Sequence, residues 1–307
     1  SVTTLPATNG EHYVQLDKPE GLSESDISTT DDYNNYRLIV NIKGNYSSYY
    51  SDASHRSVVG DSSFYSYSVA YSNGYTKIYI RPRKATIKGF EVTQTDSYIK
   101  VRYDSPKAMY KQIVVLDAGH GVPDEGAQSS RGTTEAETNL KIALKLQNLL
   151  EQSGASVILT RSDENAIYDI DAKTLKQKKI SDIHNRVKIG NESSADIFVS
   201  IHLNKIPQQQ YDGWQTFYNV KSTEGQKLAV SIQNSLNTAI QKENNRVAKS
   251  IDNVYIVKHV EIPITIVECG FLSNPEEEQK LLNDEYQNRL SWGIYNGIID
   301  YFYDGNS

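Results

Sequence analysis

The 307-residue chain contains one cysteine, Cys269, and one methionine, Met109. A single thiol excludes an intrachain disulfide and any zinc site built from several cysteines. Scarcity of cysteine suits a reducing cytosol and equally a secreted protein without thiol chemistry, so it leaves the compartment open. Because the chain starts at Ser1 and not at a methionine, we interpret it as a processed or cloned fragment from which a signal peptide could already have been removed.

The sequence also lacks an excess of basic residues and a long apolar run. Lys and Arg total 32 against 38 Asp and Glu, which gives a formal net charge of −6. Proteins that bind nucleic acid through its phosphates carry a basic surface, so we expect no nucleic-acid partner. No run approaches the ~18 apolar residues of a membrane-spanning helix, so we expect no transmembrane segment. A hydrophobic content of 38% still allows a globular core.

The first 110 residues differ in composition from the rest. They hold 14 of the 22 tyrosines. Residues 37–42 are rich in β-branched side chains, and residues 64–71 alternate aromatic and small side chains, as strands do. The Asn73-Gly74 pair follows, and it predicts a hairpin because both turn positions need a positive φ. We predict a small all-β sandwich over residues 1–110, with a loose arm or edge strand over residues 1–30.

From residue 111 onward, strand-like and helix-like segments alternate. Residues 113–116 form a continuous apolar run, as expected for a strand covered on both faces. Apolar residues at helical spacing predict a helix over residues 135–152, and a later helix is predicted over residues 181–193. Between them, the polar, lysine-rich residues 163–180 predict an insertion loop that could contain one helical turn. The alternation predicts an α/β fold over residues 111–307, with a mostly parallel open sheet and helices on both faces.

Polar residues follow three of these predicted strands where each strand ends. His120 follows the first strand, His202 ends a second, and Glu268 ends a third, while Glu135 begins the helix after the first strand. Ligands of open α/β sheets gather at the carboxyl ends of the strands, so we expect these side chains to meet. His120, Glu135 and His202 could form a His₂Glu zinc site with its fourth position open to water. Glu268 could then accept a proton from that water.

Structural interpretations have to be weighed for three of these residues, whereas His120 lies between two glycines in a turn too polar for a core histidine. His202 directly follows an apolar strand, where a hydrogen-bonded core histidine is the commoner case. Glu135 could be a helix-start carboxylate favoured by the helix dipole. However, Thr134 and Glu137 already form a capping-box pattern, which leaves Glu135 free to point toward the strand ends. Glu268 is the hardest to explain by structure alone, because a carboxylate at the end of a buried strand is costly unless it is paired or used.

The segments around these four residues resemble the zinc-dependent N-acetylmuramoyl-L-alanine amidases, also called amidase 3 or LytC-type amidases. The resemblance covers about residues 111–304 and includes the Thr160-Arg161 pair after the second strand. Residues 186–204 and 212–218 are most similar to amidases of Gram-positive spore formers. The motifs that carry the resemblance are Asp117-Ala-Gly-His-Gly121, Glu135 at a helix start, Ser200-Ile-His-Leu-Asn204 and Val267-Glu-Cys-Gly-Phe-Leu-Ser-Asn274.

This resemblance implies one Zn²⁺ bound by His120, Glu135 and His202, with Glu268 as the general base. It implies hydrolysis of the amide between N-acetylmuramic acid and L-alanine in peptidoglycan. The expected protein is an extracellular, cell wall-associated autolysin. Asn204 is a candidate substrate contact, or a residue that only stabilises its loop.

The N-terminal region resembles the AMIN domain in its strand-rich texture, its position and the run 101–110 that leads into the first catalytic strand. The resemblance implies a wall-targeting domain over residues 1–110, which could meet a further wall polymer. Its tyrosines could stack on sugar rings. They could equally be cross-strand pairs that stabilise small sheets.

Two other functions remain open on the sequence. A zinc carboxypeptidase also uses two His and one Glu with a catalytic Glu, but its first two ligands usually lie three residues apart. His120 and Glu135 are 15 positions apart, which disfavours that reading. The second alternative is a wall-binding protein whose amidase domain is inactive or needs a partner to bind metal. All four positions hold residue types that can bind zinc or transfer a proton, which argues against an inactive site.

Overall fold

The structure, a computed structural model, describes residues 3–5, 13–32, 35, 37–60, 65–82, 90–103, 109, 111–240 and 242–304. The chain divides into two compact units, Ser1–Ser105 and Pro106–Ser307. Among the described residues, none of the helices combines the length and the apolar character that crossing a membrane requires.

The first unit is built from two sheets around one core. One sheet has the strand order β1-β5-β2-β9-β8 and the other has the order β3-β4-β7-β6. Val14 and Val101 from the first sheet share an apolar cluster with Val40 and Ile80 from the second and with the ring of Tyr50. The predicted all-β fold of this region is confirmed. Its elements are β1 Thr3–Leu5, β2 Tyr13–Asp17, β3 Ile27–Asp32, β4 Arg37–Lys43, α1 Ser47–Ser51, β5 Arg56–Val59, β6 Tyr65–Ser72, β7 Tyr75–Pro82, β8 Phe90–Gln94 and β9 Tyr98–Tyr103.

Local turn chemistry was easier to predict in this unit than strand position. Asn73 and Gly74 adopt φ values of 54° and 81° between β6 and β7, so the predicted hairpin is confirmed. Within residues 1–30, β1 and β3 are edge strands as expected, but β2 lies inside its sheet between β5 and β9. Val14 and Leu16 of β2 are buried in the core. Only two apolar positions mark β2 in the sequence, and long-range pairing decides its place.

The second unit contains a six-stranded sheet with the order β11-β10-β12-β15-β13-β14. The strands β11, β10, β12 and β15 are parallel, and β13 runs antiparallel to β15. The mostly parallel sheet predicted from strand–helix alternation is therefore confirmed, with one antiparallel pairing toward its edge. The strands are β10 Ile113–Ala118, β11 Ser156–Leu159, β12 Ile197–Asn204, β13 Gln215–Asn219, β14 Lys249–Ile251 and β15 Ile264–Phe271.

Helices cover both faces of this sheet. On one face α2 and α4 pack against the strands, and α7 packs against both of these helices. On the other face Ile183 of α3 and Val257 of α5 join an apolar cluster with Val115 and Phe198 of the sheet. The helices are α2 Glu135–Gln152, α3 Leu175–Glu192, α4 Thr223–Ile240, α5 Tyr255–His259, α6 Pro275–Leu281 and α7 Asp284–Asp304.

Helix α3 begins earlier than the sequence indicates. Its first residue is Leu175, so the end of the predicted loop 163–180 is helical. Thr174 and Gln177 form a capping box: the Gln177 N–H donates to Thr174 Oγ1 at 3.2 Å, and the Thr174 N–H donates to Gln177 Oε1 at 2.9 Å. The first turns of α3 carry mostly lysine and glutamine, so they show no apolar stripe that would reveal a helix.

Candidate active site

The carboxyl ends of three neighbouring strands bring the predicted site residues together. Strand β12 lies between β10 and β15, and it pairs His202 in register with Glu268. His120 lies two residues beyond the end of β10, and Glu135 is the first residue of α2. All four side chains therefore lie at the edge of the sheet that the carboxyl ends of the strands form, which is the usual place for a ligand in this architecture.

His120, Glu135 and His202 form a compact group of potential metal ligands. Each offers one ligand atom, and these atoms lie within 4.8 Å of one another. His120 Nε2 lies 3.4 Å from Glu135 Oε2, and His202 Nδ1 lies 2.9 Å from Glu135 Oε1. The two imidazole rings are nearly perpendicular, with their centroids 5.2 Å apart. Two imidazole nitrogens and one carboxylate are the donor set of many catalytic zinc sites.

Two glycines leave the space that these side chains occupy. A Cβ added to Gly119 would lie 2.2 Å from Cε1 of His202. A Cβ added to Gly126 would lie 2.6 Å from both Glu135 Oε2 and His120 Cδ2. Side chains at either position would push the candidate ligands apart. The glycines therefore form a cradle around the group, which fits a site for a bound ion.

The charge balance of the group also suits a cation. Burial alone would raise the pKa of Glu135, but hydrogen bonds and charge from His120 and His202 hold it well below its usual range. Burial alone would lower the pKa of His120, but Asp124 and Glu135 raise it to about 9. The carboxylates thus stabilise positive charge at the imidazoles. A metal ion can supply that charge in place of a proton.

Glu135 is held in place by backbone groups as well as by the imidazoles. It is buried, and its Oε2 accepts from the Ala127 N–H at 2.8 Å while its Oε1 accepts from the Leu203 N–H at 3.1 Å. The N-cap of α2 is Thr134, whose hydroxyl oxygen accepts from the Glu137 N–H at 3.4 Å. Thr134 therefore caps the helix as predicted, whereas the Glu137 carboxylate accepts from Lys141 Nζ at 2.7 Å instead of completing a capping box. The Glu135 side chain turns toward the strand ends, as we expected.

Glu268 faces this group, and one of its two carboxylate oxygens is buried and unpaired within the part of the chain that the structure describes. Its Oε2 is buried and accepts no hydrogen bond from the described residues. Burial raises the pKa of Glu268 to about 7; Glu135 adds to this increase, whereas His202 opposes it. An unpaired buried carboxylate destabilises a fold and is typical of a functional position. A carboxyl group with a pKa near neutrality can both accept and return a proton.

Asp124 and Lys179 extend the site beyond the residues predicted from sequence. Asp124 Oδ2 lies 3.3 Å from His120 Nδ1, and Lys179 Nζ lies 2.8 Å from Asp124 Oδ1. A carboxylate on one ring nitrogen of a histidine fixes the ring and leaves the other nitrogen for a metal. The sequence signal for this contact is weak, because Lys179 lies in the segment predicted as a loop and becomes a neighbour only through α3.

Asn204, the candidate substrate contact, is the last residue of β12. It is half-buried and lies beyond a register shift that separates it from His202. Its backbone carbonyl accepts from the Leu272 N–H at 2.8 Å. Asn204 therefore lies at the same sheet edge as the candidate ligands, and its contact with substrate stays a prediction.

Known proteins match the second unit. A sequence model of the family described as N-acetylmuramoyl-L-alanine amidase, Amidase_3, matches residues 114–300. The chain is 38% identical over 191 residues to the germination-specific N-acetylmuramoyl-L-alanine amidase of Bacillus subtilis, which covers 62% of this chain and 80% of that relative. The range that the family model matches contains His120, Glu135, His202 and Glu268.

Solved structures agree with the sequence matches. The CwlD amidase from Clostridioides difficile, solved in complex with the GerS lipoprotein, has a TM-score of 0.62 and 42% identity, over 63% of this chain and 100% of that one. An N-acetylmuramoyl-L-alanine amidase from Clostridium difficile 630 has a TM-score of 0.56 and 32% identity, over 64% of this chain and 98% of that one.

Proposed function

The chain belongs to the N-acetylmuramoyl-L-alanine amidase family, and from this membership we propose that its second unit uses one Zn²⁺ to cleave the amide between N-acetylmuramic acid and L-alanine. The protein is a peptidoglycan amidase. The metal ligands are His120, Glu135 and His202. The observation that carries this proposal is the approach of their three ligand atoms to within 4.8 Å at the sheet edge that also holds Glu268.

Glu268 is the general base in this proposal. When bound, Zn²⁺ supplies a Lewis acid that polarises the amide carbonyl and lowers the pKa of water. Glu268 accepts the proton that the attacking water loses as its oxygen bonds to the carbonyl carbon. The carbon–nitrogen bond then breaks, and Glu268 returns the proton to the nitrogen of L-alanine. The products are the lactyl carboxylate of N-acetylmuramic acid and a free amino group on the stem peptide.

Asp124 and Asn204 have supporting roles in the same proposal. Asp124 accepts a hydrogen bond from Nδ1 of His120 and so directs Nε2 toward the metal. Asn204, at the end of β12, contacts the substrate beside the metal. Both roles follow from position at the sheet edge, where binding groups of open α/β sheets collect.

The test is hydrolysis of isolated Gram-positive peptidoglycan by the purified full chain. We expect new amino groups on L-alanine, their loss when a chelator is added, and their return when zinc is restored. The competing hypothesis is a wall-binding protein whose amidase domain is inactive or needs a partner to bind metal. The Clostridioides difficile relative was solved in complex with a lipoprotein, and this observation supports the partner-dependent alternative. No release of amino groups by protein shown to contain zinc would favour that alternative.

We propose that residues 1–110 form a wall-targeting domain and that residues 111–307 form the catalytic domain of a secreted, extracellular enzyme. Support for wall targeting comes from the outer face of the sheet β3-β4-β7-β6. Along β7, Thr76, Ile78 and Ile80 are buried, so the alternate residues Tyr75, Lys77, Tyr79 and Arg81 face outward.

This outer face carries more positive than negative charge. Arg37 of β4 stacks over the Tyr79 ring at 4.4 Å and forms an ion pair with Asp32 at 2.7 Å. The Arg81 Nε donates to Ser66 Oγ at 3.2 Å, and Lys77 lies four residues before Arg81 on the same face of β7. Cations beside aromatic rings suit an anionic sugar polymer, because the rings stack on sugars and the cations pair with its charges. The proposed ligand is an anionic wall polymer.

Charge reversal tests this face. The double variant Lys77→Glu/Arg81→Glu is expected to cosediment with purified walls several-fold less than wild type at low salt, because attraction becomes repulsion. The matched control is Lys188→Glu/Lys227→Glu, which makes the same charge change on exposed helices of the second unit. Equal loss in both double variants would indicate a general charge effect, and unchanged binding in the first would contradict the assignment of this face.

A further inference from the structure

Two buried arginines hold the backbone of the segment that carries His120. The carbonyl oxygen of Ala118 accepts from Arg161 Nε and from Arg186 Nη1, both at 2.8 Å. The carbonyl oxygen of Gly119 accepts from Arg161 Nη2 at 3.2 Å. The carbonyl oxygen of His120 accepts from Arg186 Nη2 at 2.6 Å. Three consecutive carbonyl groups are therefore fixed by two guanidinium groups.

The backbone at His120 needs such support. His120 has a φ of 64°, in the left-handed region that side chains with a Cβ seldom adopt. Without the hydrogen bonds on its carbonyl groups, the segment would relax toward more favourable φ values and carry the imidazole away from Glu135. The position of the ring thus depends on the backbone as well as on the contact of Nδ1 with Asp124.

Arg161 also connects this segment to the helix that bears the second ligand. Its Nη2 donates to the carbonyl oxygen of Ala136 at 2.7 Å, and Ala136 directly follows Glu135 in α2. One side chain therefore fixes the backbone beside His120 and the backbone beside Glu135. The separation of the two ligands is set by a single rigid guanidinium plane.

The cost of burying these cations indicates a role beyond packing. Arg161 and Arg186 are 4% and 2% exposed. Burial, together with the charge of Arg186, lowers the pKa of Arg161 to about 10. Arg186 is balanced by Asp117 and Asp182, with Nε 2.8 Å from Asp182 Oδ2. A buried ion cluster of this kind often contributes less to stability than apolar side chains of the same volume would.

We propose that Arg161 and Arg186 are positioning residues of the metal site, which hold His120 and Glu135 at the separation that the bound ion requires. The inference rests on the proposed zinc ligands and deepens that proposal. Neither arginine touches the ion or the substrate. Loss of the hydrogen bonds from either arginine to these carbonyl groups should weaken metal binding more than it lowers the stability of the fold.

The first test is Arg186→Lys in the full chain. Lysine retains a positive charge beside Asp117, but it has no planar fork to reach the carbonyl groups of Ala118 and His120 together. We expect the dissociation constant for Zn²⁺, measured by competition with a chromophoric chelator, to rise about 10- to 100-fold. The visible absorption bands of the Co²⁺-substituted protein should also shift or weaken, because ligand geometry changes. Wild-type affinity and wild-type bands in a folded variant would overturn the proposal.

A second pair of variants covers the case in which Arg186→Lys does not fold. Asp182→Asn weakens the hydrogen bonds that orient Arg186 but leaves the arginine in place, and exposed Glu192→Gln makes the same chemical change on the same helix. We expect weaker Zn²⁺ binding and altered Co²⁺ bands in Asp182→Asn only. Equal zinc affinity in both would overturn the inference. Wild-type protein that binds no zinc would instead overturn the proposed metal site, so the two failures are distinguishable.

Discussion

Glu268→Gln is expected to lower kcat for peptidoglycan amide hydrolysis by about 10³-fold while the bound zinc stays at the wild-type level. Glutamine has nearly the same shape but accepts no proton from water. Glu268 lies opposite His202 in the sheet and outside the group of three ligands, so its replacement should leave metal affinity unchanged. The measurements are release of amino groups from peptidoglycan and zinc content of the purified variant.

The control for this variant is Glu261→Gln, which makes the same change at an exposed position three residues before β15. It should retain wild-type kcat. Turnover of Glu268→Gln within a few fold of wild type would exclude the general-base role.

Metal-free Glu268→Gln should also be at least as stable as metal-free wild type above pH 7. Burial raises the pKa of Glu268 to about 7, so in the wild type the ionised carboxyl penalises the fold as pH rises through that value.

Gly119→Ala is expected to weaken zinc binding by at least about 100-fold, and with it the amidase activity, because one of three ligands is displaced. The new Cβ would lie 2.2 Å from Cε1 of His202, closer than any real contact. His202 is also held by Glu135 at 2.9 Å, so the ring has to leave the ligand group to make room. Zinc content, competition with a chelator and the thermal unfolding midpoint measure the outcome.

Gly132→Ala is the matched control for the glycine variant. Gly132 has a φ of 92°, so alanine there strains the backbone, but the added Cβ meets no atom within 4 Å. We expect a modest loss of stability with zinc affinity retained. Zinc binding by Gly119→Ala as tight as in wild type would mean that His202 is not a ligand, or that the backbone around Gly119 can move away from the His202 ring. Either result contradicts the site as proposed.

Much of the second unit could be predicted from local sequence pattern. The apolar run at residues 113–116 and the helical spacing over residues 135–152 correspond to β10 and α2. The family resemblance, built on motifs around His120, His202 and Glu268, is confirmed by the match over residues 114–300. These features depend on short-range periodicity and on the residue types that catalysis requires at strand ends. Both signals lie within short stretches of the sequence.

Other features depend on partners that are distant in the chain. The contact between Asp124 and Lys179 joins residues 55 positions apart through the start of α3, which no apolar stripe reveals. The position of β2 inside its sheet follows from strands that come later in the chain. Local pattern states which face of a segment is apolar, but it does not state which other segment will cover that face.

The sequence by itself determined the two-part composition of the chain, the alternation of strands and helices in the second unit, and the residue types available at the strand ends. The tertiary structure alone decided that Arg161 and Arg186 donate hydrogen bonds to three consecutive carbonyl groups, and that Gly119 and Gly126 leave room for the candidate ligands. The reason is physical: residue type and spacing set local conformation, whereas distances of a few ångströms between distant residues are fixed only when the whole core packs at once.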